Sequence, residues 1–504
     1  MKHFTASDKM KEEYCCQVVR INKLEPIEGS DFLAKTVVAG NTMVVRKDEF
    51  HEGDYAIYAK NETELNGAFL SSNNLFELGE YEKNANADRI ASLIAEGKKD
   101  EARALVGFFN KYGRVKALKL RGVYSMGLLF GLDSLAKWKT DVSNEDLRQY
   151  IVNEEMGIGE NFDTVCGEVF VKAYVPRVTA HTPYTRTRSA SQTNTSRFEK
   201  ISDADWHFHY DTLKANDNIW KIVPDDIVSI SVKEHGTSGI FGNVKIKYPA
   251  HLTPVQKLAN YLAKITLKLY KWCDARTVPT WYEGYGNIYS SRNVIKNKYA
   301  DVKDGHNFHG ADIWGEYNDL LSPYIDRGMM VYGEICGYLT DDSKMIQKSY
   351  DYGCETGHNF LMPYRITTTD ENGETREWNI SEVVDWTKQL ISDHPKLTER
   401  IKPLTVLYHG TLADLYPNIN TDENWHELVL DAMKNDAARL GLEKREPLCK
   451  NKVPREGICI RVDNRPDIRA MKLTSDAFYA KEQKLIDAGE VDMEMVGAYY
   501  GDQN

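Results

Sequence analysis

At residues 227–236 the sequence reads Ile-Val-Ser-Ile-Ser-Val-Lys-Glu-His-Gly. The apolar, β-branched start of this stretch predicts a strand, and Lys233 follows at the strand end. A lysine amine attacks phosphorus only when it is neutral, whereas its ordinary pKa is about 10.4. Neighbouring cations or a metal can lower that pKa and turn a strand-end lysine into a nucleophile. Gly236 would let the backbone turn close to a nucleotide.

The Lys-x-x-Gly pattern is not specific by itself. The same spacing occurs at Lys119-Leu-Arg-Gly122, and glycine at about 7% of residues makes chance matches expected. Without support from elsewhere in the chain, Lys233 would be interpreted as a surface lysine at a turn.

Support comes from charged and aromatic residues that follow Lys233 at predicted strand ends and loops. In order they are Ser291-Arg292-Asn293, Val331-Tyr-Gly-Glu334-Ile-Cys-Gly337, Pro363-Tyr364-Arg365-Ile366-Thr367, Arg455-Glu456-Gly457 and Met471-Lys472-Leu473-Thr474. Strand-end carboxylates can bind a ribose hydroxyl or Mg²⁺, and cations can neutralise phosphate charge. Each element alone could be structural, with Glu334 and Glu456 in ordinary ion pairs, so their joint order is the signal.

Upstream of this core the sequence predicts a β-rich region. Short apolar runs over residues 14–60 are separated by turn-rich breaks, which is typical of a small barrel or sandwich. A helical period replaces them over 85–110, and strand-like sequence resumes at Arg114. Downstream, helices are predicted around 381–392 and 423–440.

Residues 177–197 differ in composition from both flanking regions. They are rich in Thr and Ser, contain four arginines (177, 186, 188 and 197) and have no acidic residue. A solvated linker and a flexible arm that binds phosphates are both compatible with this composition.

Composition excludes several classes of protein. The 504 residues are 42% hydrophobic and 28% charged, which excludes a chain disordered throughout, a collagen-like repeat and a disulfide scaffold. The net charge of −11 means that any nucleic-acid contact requires a local basic surface. The eight cysteines form no Cys-x-x-Cys pair and are expected to be free thiols in a reducing compartment. No apolar run of about 18 residues predicts a membrane span, so a soluble, intracellular protein is expected.

The ordered elements resemble the covalent nucleotidyltransferase superfamily of polynucleotide ligases and mRNA capping enzymes. Within it, the chain is most similar to ATP-dependent RNA ligases of bacteria and phages that carry an N-terminal OB domain, the Deinococcus type. Pro26-Ile-Glu-Gly-Ser-Asp-Phe32 and Leu120-Arg-Gly-Val-Tyr-Ser-Met-Gly-Leu128 are similar to that OB module.

The resemblance implies an α+β fold. An OB-like β-barrel domain is expected at 1–175, with a helical insertion at about 76–112, followed by a basic linker at 176–204. An ATP-grasp-like nucleotidyltransferase domain of antiparallel sheets and helices is expected at 205–504.

The resemblance also implies a reaction and a set of site residues. An RNA 3′-OH and a 5′-phosphate would be joined through a lysyl-AMP and an adenylylated 5′ end, at nicks in duplexes with RNA on the 3′-OH side. Lys233 would be the nucleophile, Glu334 would hold the ribose, Glu456 would hold Mg²⁺ or Mn²⁺, and Tyr364 would wall the adenine. Further ATP contacts would come from Glu234, His235, Gly236, Arg292, Lys472 and Thr474. For His235, packing and catalysis remain equally open.

The implied substrate is ATP, and the implied partner is RNA or an RNA-containing nicked duplex, with no membrane and no obligate protein partner. The location would be the cytoplasm of a bacterium, or of a host cell if the chain is phage-encoded.

Two departures from the family pattern bear on the alternatives. The terminal motif is often Lys-x-Lys, but Thr474 stands at its second lysine position. The chain ends about 30 residues after Lys472, which leaves no room for the C-terminal OB domain of DNA ligases and capping enzymes and so favours an RNA ligase. A DNA ligase, a GTP-using capping enzyme and an OB-based nucleic-acid-binding protein without ligase activity remain as alternatives.

Overall fold

The computed structural model describes most of the chain. The described residues are 3–153, 155–175, 200–201, 206–210, 212–249, 252–269, 281–292, 295–296, 312–340, 342–419 and 425–488. The predicted basic linker, with its four arginines, lies outside the described residues apart from 200–201.

The N-terminal half is built from short strands with helices between them. Its strands are β1 Phe4–Thr5, β2 Cys16–Arg20, β3 Glu25–Pro26, β4 Leu33–Val38, β5 Asn41–Arg46, β6 Tyr55–Ala59, β7 Thr63–Leu65, β8 Ala117–Leu120, β9 Val123–Met126, β10 Leu128–Gly131, β11 Asn161–Phe162, β12 Thr164–Val165, β13 Glu168–Val169 and β14 Val171–Ala173. Its helices are α1 Gly67–Ser72, α2 Ala87–Ala95, α3 Lys99–Arg103, α4 Leu132–Trp138 and α5 Asn144–Val152, with a 3₁₀ turn at Leu78–Lys83.

These strands form several small antiparallel sheets around two apolar clusters. A four-stranded sheet has the order β10-β6-β2-β11, and a three-stranded sheet has the order β3-β4-β5. Val44 of β5 donates its backbone N–H to Ser125 Oγ of β9 at 3.0 Å, which joins the β8–β9 hairpin to the second sheet. Helices were predicted over 85–110, and the structure has two helices in this range. Helix α2 buries Ile90, one of its periodic apolar residues, and helix α3 ends at Arg103.

The C-terminal half has longer strands. They are β15 Lys200–Ile201, β16 Leu213–Lys214, β17 Ile227–Lys233, β18 Thr237–Pro249, β19 Trp281–Ser291, β20 Ile295–Lys296, β21 Met329–Gly337, β22 Asn359–Thr369, β23 Thr375–Glu377, β24 Val406–Thr411, β25 Gly457–Val462 and β26 Met471–Thr474. The helices are α6 Ala215–Asn218, α7 Pro254–Leu269, α8 Ile313–Leu321, α9 Ile380–Asp393, α10 Leu412–Leu415, α11 Trp425–Asn435 and α12 Asp476–Asp487, with 3₁₀ turns at Ile219–Lys221, Ser322–Tyr324 and Pro395–Leu397.

Two sheets dominate this half. A seven-stranded sheet has the order β20-β19-β18-β21-β22-β23, with β15 beside β18, and a five-stranded sheet has the order β16-β26-β25-β17-β24. Among the described strands, every named pair in these two sheets is antiparallel except β16 with β26. The predicted α+β class, with antiparallel sheets and helices, is therefore confirmed.

The chain crosses from one sheet to the other at the predicted motif. β17 of the five-stranded sheet ends at Lys233, and β18 of the seven-stranded sheet begins at Thr237. Val228 and Ile230 of β17 are buried in the apolar core. Because alternate residues of a strand point to opposite faces, Ser229, Ser231 and Lys233 share the other face. Among the helices of the described residues, none is long and apolar enough to cross a membrane.

Candidate functional site

The predicted nucleophile lies beside the predicted metal ligand. Antiparallel pairing of β17 with β25 sets Lys233 opposite Gly457, so Glu456 reaches the lysine, and Lys233 Nζ lies 2.6 Å from Glu456 Oε1. Burial alone would raise the pKa of Glu456, but the positive charge of Lys233 and a hydrogen bond from His235 outweigh it and lower that pKa to about 2. Glu456 is therefore a carboxylate at neutral pH.

Gly236 is held by the neighbouring strand β21. Its backbone N–H donates to Glu334 Oε1 at 2.9 Å, and its carbonyl accepts from Gln347 Nε2 at 2.7 Å. A Cβ atom at Gly236 would lie 2.2 Å from the carbonyl oxygen of Ile335. From the sequence, Gly236 was expected to let the backbone come close to a nucleotide. In the structure a glycine is required here because β21 passes close to this residue. The same contact brings Glu334 towards Lys233.

His235 bridges the site and helix α12. Its Nδ1 lies 3.5 Å from Glu456 Oε2, and its Nε2 lies 3.8 Å from Glu482 Oε1. The rings of Tyr350 and Phe478 each meet the imidazole edge-to-face at 4.9 Å. The sequence left open whether His235 is packed or acts at the site. In the structure its ring is packed between aromatic rings and also lies beside the carboxylate of Glu456.

Glu234 occupies a buried polar cluster. Burial is the main cause that raises its pKa to about 8; the charge of Glu446 raises the pKa further, and Arg455 opposes the shift. Its Oε2 atom is buried without a hydrogen-bond partner among the described residues. Burial therefore favours the protonated form of this carboxyl group.

Two clefts meet at Lys233. The first cleft is open to solvent and measures about 860 Å³ with that open space included. Its lining includes His209, Tyr210, Thr212, Ser231, Lys233, Glu234, Arg292, Glu334, Met362, Tyr364, Leu404 and Cys459. The second cleft, also open to solvent, measures about 1670 Å³ on the same basis. Its lining includes Glu13, Tyr14, Lys60, Glu62, Thr212, Lys214, Asp217, Lys233, His235, Arg292, Lys434, Glu456, Lys472, Thr474, Asp476 and Glu482. Lys233, Arg292 and Thr212 line both clefts, so the lysine stands at their junction.

The second cleft is lined by six basic and six acidic side chains, and Lys472 is one of the basic ones. Pairing sets Lys472 of β26 beside Cys459 and beside Lys214. Burial lowers the pKa of Lys472, and the positive charges of Lys233, Lys214 and Arg292 lower it further. Such a cluster favours an anionic ligand, because negative charge would relieve the repulsion between the cations.

Tyr364 marks an irregularity in strand β22. Residues 332 and 333 of β21 pair with 365 and 363, which leaves Tyr364 as the extra residue of a bulge. Its hydroxyl lies 3.1 Å from Ser238 Oγ, and its side chain lines the first cleft. Tyr364 thus lines the same cleft as Lys233, and its role beside adenine stays a prediction.

Arg365, which follows Tyr364 in the chain, contacts neighbouring side chains of the fold. Its guanidinium lies 4.4 Å from the Tyr210 ring centroid and 4.5 Å from that of Tyr332. It also pairs with Glu377 at 2.9 Å.

Sequence reasoning missed several residues that line the clefts. His209 is not among the residues predicted for the site, yet its ring centroid lies 5.3 Å from that of Tyr364. The aromatic run Trp206-His-Phe-His-Tyr210 was an available signal. No sequence pattern indicated that Lys60 belongs to the site, because this residue lies in the N-terminal half and reaches the second cleft only in the folded protein.

The site can accommodate a divalent cation only together with a ligand. In the part of the chain that the structure describes, no three His, Cys, Asp or Glu side chains converge as a metal site. Mg²⁺ is usually held by one or two carboxylates plus substrate phosphates and waters. The ionised Glu456, in a cleft that also contains Lys214, Arg292 and Lys472, fits a metal that arrives with a phosphate ligand.

Comparisons with known proteins bear on the fold. A family model described as an OB-fold domain matches residues 15–92, which confirms the predicted N-terminal OB fold. No curated protein sequence matches the chain.

Similar solved structures include three of an RNA ligase from Naegleria gruberi. A variant with AMP and manganese has a TM-score of 0.47 at 13% identity, covering 94% of this chain and 99% of that one. A variant with ATP and manganese has a TM-score of 0.46 at 15% identity, covering 93% and 99%. A structure with pyrophosphate has a TM-score of 0.45 at 14% identity, covering 94% and 100%.

Proposed function

We propose that the chain is an ATP-dependent RNA ligase that works through a lysyl-AMP. One observation carries the proposal: Lys233 stands at the junction of two clefts, 2.6 Å from the ionised Glu456. The first cleft has aromatic and apolar side chains beside its charged ones, and the second contains Lys214, Arg292 and Lys472 among its basic residues. A nucleoside triphosphate has matching parts: its base is planar, its ribose is polar, and its phosphates are anionic.

In the proposed complex the adenosine lies in the first cleft and the phosphates extend towards the second. Tyr364 walls the adenine. Glu334, whose Oε1 accepts from Gly236, lines the first cleft together with Lys233 and would hold the ribose hydroxyls. Arg292 and Lys472 bind phosphates, and Thr474 lines the second cleft on the same strand as Lys472.

The first proposed step is an in-line displacement at the α-phosphate. The Lys233 amine forms a nitrogen–phosphorus bond, the bond to the bridging oxygen breaks, and pyrophosphate leaves. The lysine must lose a proton before it attacks. A divalent cation held by Glu456 would neutralise phosphate charge and favour the neutral amine.

Two further displacements complete the proposed ligation. The RNA 5′-phosphate attacks the lysyl-AMP phosphorus and releases Lys233. A 3′-hydroxyl then attacks the activated 5′-phosphate and expels AMP. The OB fold supports a nucleic-acid partner, since this fold commonly binds oligonucleotides.

Covalent labelling tests the proposed function. The protein is incubated with Mg²⁺ and ATP carrying a radioactive α-phosphate, beside Lys233→Ala, a GTP lane and the matched control Lys119→Ala. Lys119 is the lysine of the other Lys-x-x-Gly sequence. Label is expected with ATP in the wild type and in Lys119→Ala, and none in Lys233→Ala. The absence of label from wild-type protein would refute the lysine assignment and favour a nucleic-acid-binding protein.

Nick sealing separates RNA ligase from DNA ligase. Nicked duplexes with either a ribonucleotide or a deoxyribonucleotide at the 3′-OH side are offered to the protein. Sealing is expected to require the ribonucleotide, whose 2′-OH distinguishes the two strands. Equal sealing of both duplexes would favour a DNA ligase, and labelling by GTP would favour a capping enzyme.

A further inference from the structure

Part of the second cleft is formed by a run of polar residues from the N-terminal half. Lys60, Asn61 and Glu62 connect β6 to β7, and all three line the cleft that also contains Lys233. All three are buried, and Asn61 is 8% exposed. Burial of a polar side chain is unfavourable unless a hydrogen bond or an ion pair compensates for it, so each of the three requires a partner.

The first and third residues of this turn are fixed by side chains from both halves of the chain. Lys60 Nζ lies 3.3 Å from Asp217 Oδ1 of α6. Gln483 Nε2 of α12 donates to Glu62 Oε1 at 2.6 Å, and Arg114 pairs with Glu62 at 2.8 Å. These contacts hold the turn on both sides of its middle residue, so the packing of the two halves sets the place of that residue in the cleft.

The middle residue, Asn61, has an unsatisfied amide. Its Oδ1 atom is buried and has no hydrogen-bond partner within the described ranges. The next residue, Glu62, has a φ of 64°, a left-handed conformation that is uncommon for residues other than glycine. Strained backbone occurs preferentially at functional sites, and an unsatisfied buried polar atom requires an explanation such as a ligand. Their occurrence at neighbouring positions indicates that Asn61 contacts a ligand in the second cleft.

The chemistry of the amide indicates which part of a ligand it contacts. An amide oxygen only accepts hydrogen bonds, whereas an ionised phosphate has no proton to donate. Ribose hydroxyls are donors, and every nucleotide of RNA carries a 2′-hydroxyl that DNA lacks. In the proposed complex the ribose of ATP lies in the first cleft, so the hydroxyl donors in the second cleft come from the RNA substrate.

We propose that Asn61 Oδ1 accepts a hydrogen bond from a 2′-hydroxyl of the RNA strand that supplies the 3′-hydroxyl, and this inference rests on the proposed function. The proposed sealing requires a ribonucleotide in that strand. The strand enters the second cleft to reach the activated 5′ end beside Lys233. The OB-containing half thereby helps to select RNA over DNA, and Asn61 is a specificity-determining residue.

The test compares two substitutions at Asn61 in the full chain. Asn61→Leu removes the acceptor while keeping the size of the side chain, and Asn61→Asp keeps an oxygen acceptor. The matched control is Asn86→Leu, because Asn86 Oδ1 is also buried without a partner among the described residues, yet Asn86 lines neither of the two clefts. Each protein is offered two nicked duplexes, whose 3′-OH strand is either all RNA or all DNA. Fluorescence anisotropy gives the ratio of the two dissociation constants.

We expect the wild-type protein to bind the duplex with the RNA strand more tightly. Asn61→Leu should reduce this preference by about threefold to tenfold, which is the effect of one hydrogen bond. Asn61→Asp should bind both duplexes more weakly, because its charge repels phosphates, but it should keep the preference, as should Asn86→Leu. A preference in Asn61→Leu equal to that of the wild type would overturn the proposal. An equal loss of preference in Asn61→Asp or in Asn86→Leu would also overturn it, as would a wild type without any preference.

The two proposals fail separately, because these binding measurements require neither ATP nor the covalent label. Absence of label from wild-type protein would refute the proposed function, whereas an unchanged preference in protein that is labelled would refute only the role of Asn61. If Asn61→Leu lowers the melting temperature, Asn61→Ala removes the same acceptor with a smaller side chain. It should then give the same loss of preference, and an unchanged preference would overturn the proposal.

Discussion

At the scale of single residues, the site is defined by charge around Lys233. Glu456 is ionised by its neighbours, whereas burial favours the protonated form of Glu234, one residue beyond the lysine. Lys233, Glu334, Glu456 and Lys472 could be predicted from sequence because each lies at or next to a strand with a recognisable local pattern. His209 and Lys60 could not, since their place at the site depends on packing between distant segments.

The first prediction concerns Glu456. Glu456→Gln removes the negative charge beside Lys233 Nζ while keeping the size of the side chain. We expect the rate of label formation from ATP to fall by about 100-fold, a magnitude typical of losing one electrostatic contact at a reacting centre. Rapid-quench labelling measures the rate. Glu456→Asp, which keeps the charge, should recover part of it, and an unchanged rate in Glu456→Gln would contradict the role.

The second prediction concerns Gly236. In Gly236→Ala the new Cβ meets the Ile335 carbonyl at 2.2 Å, so β21 must shift. We expect a loss of about 1–3 kcal/mol in stability and reduced labelling, because Glu334 moves with β21. Gly67→Ala is the control, since no atom lies within 4 Å of its added Cβ. Equal melting temperatures for the two variants would contradict the close approach of β21.

The third prediction concerns pH. The pKa of Glu234 is raised in the folded state, to about 8. The neutral carboxyl group stabilises the fold fully at pH values below its pKa in the unfolded chain, near 4.3. This stabilisation is lost as pH rises towards the pKa in the folded protein, because the unfolded chain ionises first. The melting temperature should therefore fall between about pH 5 and 8. Glu234→Gln should show a smaller fall over that range, and parallel curves for the two proteins would contradict the buried neutral carboxyl.

At the scale of elements, helix α12 joins the site to the N-terminal half. Phe478 packs on His235, and Glu482 lies near it. On the same helix, Gln483 donates to Glu62 at 2.6 Å, and Asp487 pairs with Arg114 at 2.8 Å. One helix therefore contacts both His235, next to Lys233 and Gly236, and the OB-containing half.

The fourth prediction tests this connection. Arg114→Ala leaves Glu62 buried without its 2.8 Å partner. Removal of one partner from a buried ion pair typically costs about 3–5 kcal/mol, so calorimetry should show a lower or divided unfolding transition. Lys116→Ala is the control, because Lys116 forms a more exposed pair with the same Asp487. A surface pair contributes about 0–1 kcal/mol, and equal effects of the two substitutions would contradict the prediction.

Elements differ in how well the sequence predicts them. The strands around Lys233 and Glu456 and the helix at 380–393 were predictable because each buries its periodic apolar residues, the strands in one apolar cluster and the helix in two others. Helix α7 at 254–269 also follows its helical period, yet Val255 and Leu258 are 76% and 58% exposed. Periodicity predicts the helix, but it does not identify what packs against it.

At the scale of the whole molecule, the second cleft lies between the two halves of the chain. Glu13, Tyr14 and Lys60 line it together with Lys214 and Lys472, and Lys214 Nζ donates to the Glu13 carbonyl at 3.3 Å. The sequence predicted an OB fold and a nucleotidyltransferase core, but local patterns contain no information about how the two pack together. The OB-containing half thus lines the cleft in which the phosphates of a nucleotide are proposed to lie.

The central claim is that Lys233 becomes covalently bound to AMP, and peptide mapping tests it most directly. The protein is incubated with ATP and Mg²⁺, digested, and analysed by mass spectrometry, with one portion first treated with excess pyrophosphate. We predict an AMP adduct on the peptide that contains Lys233, and its removal by pyrophosphate with re-formation of ATP. An adduct on another residue, or no adduct in folded protein, would contradict the assignment of Lys233.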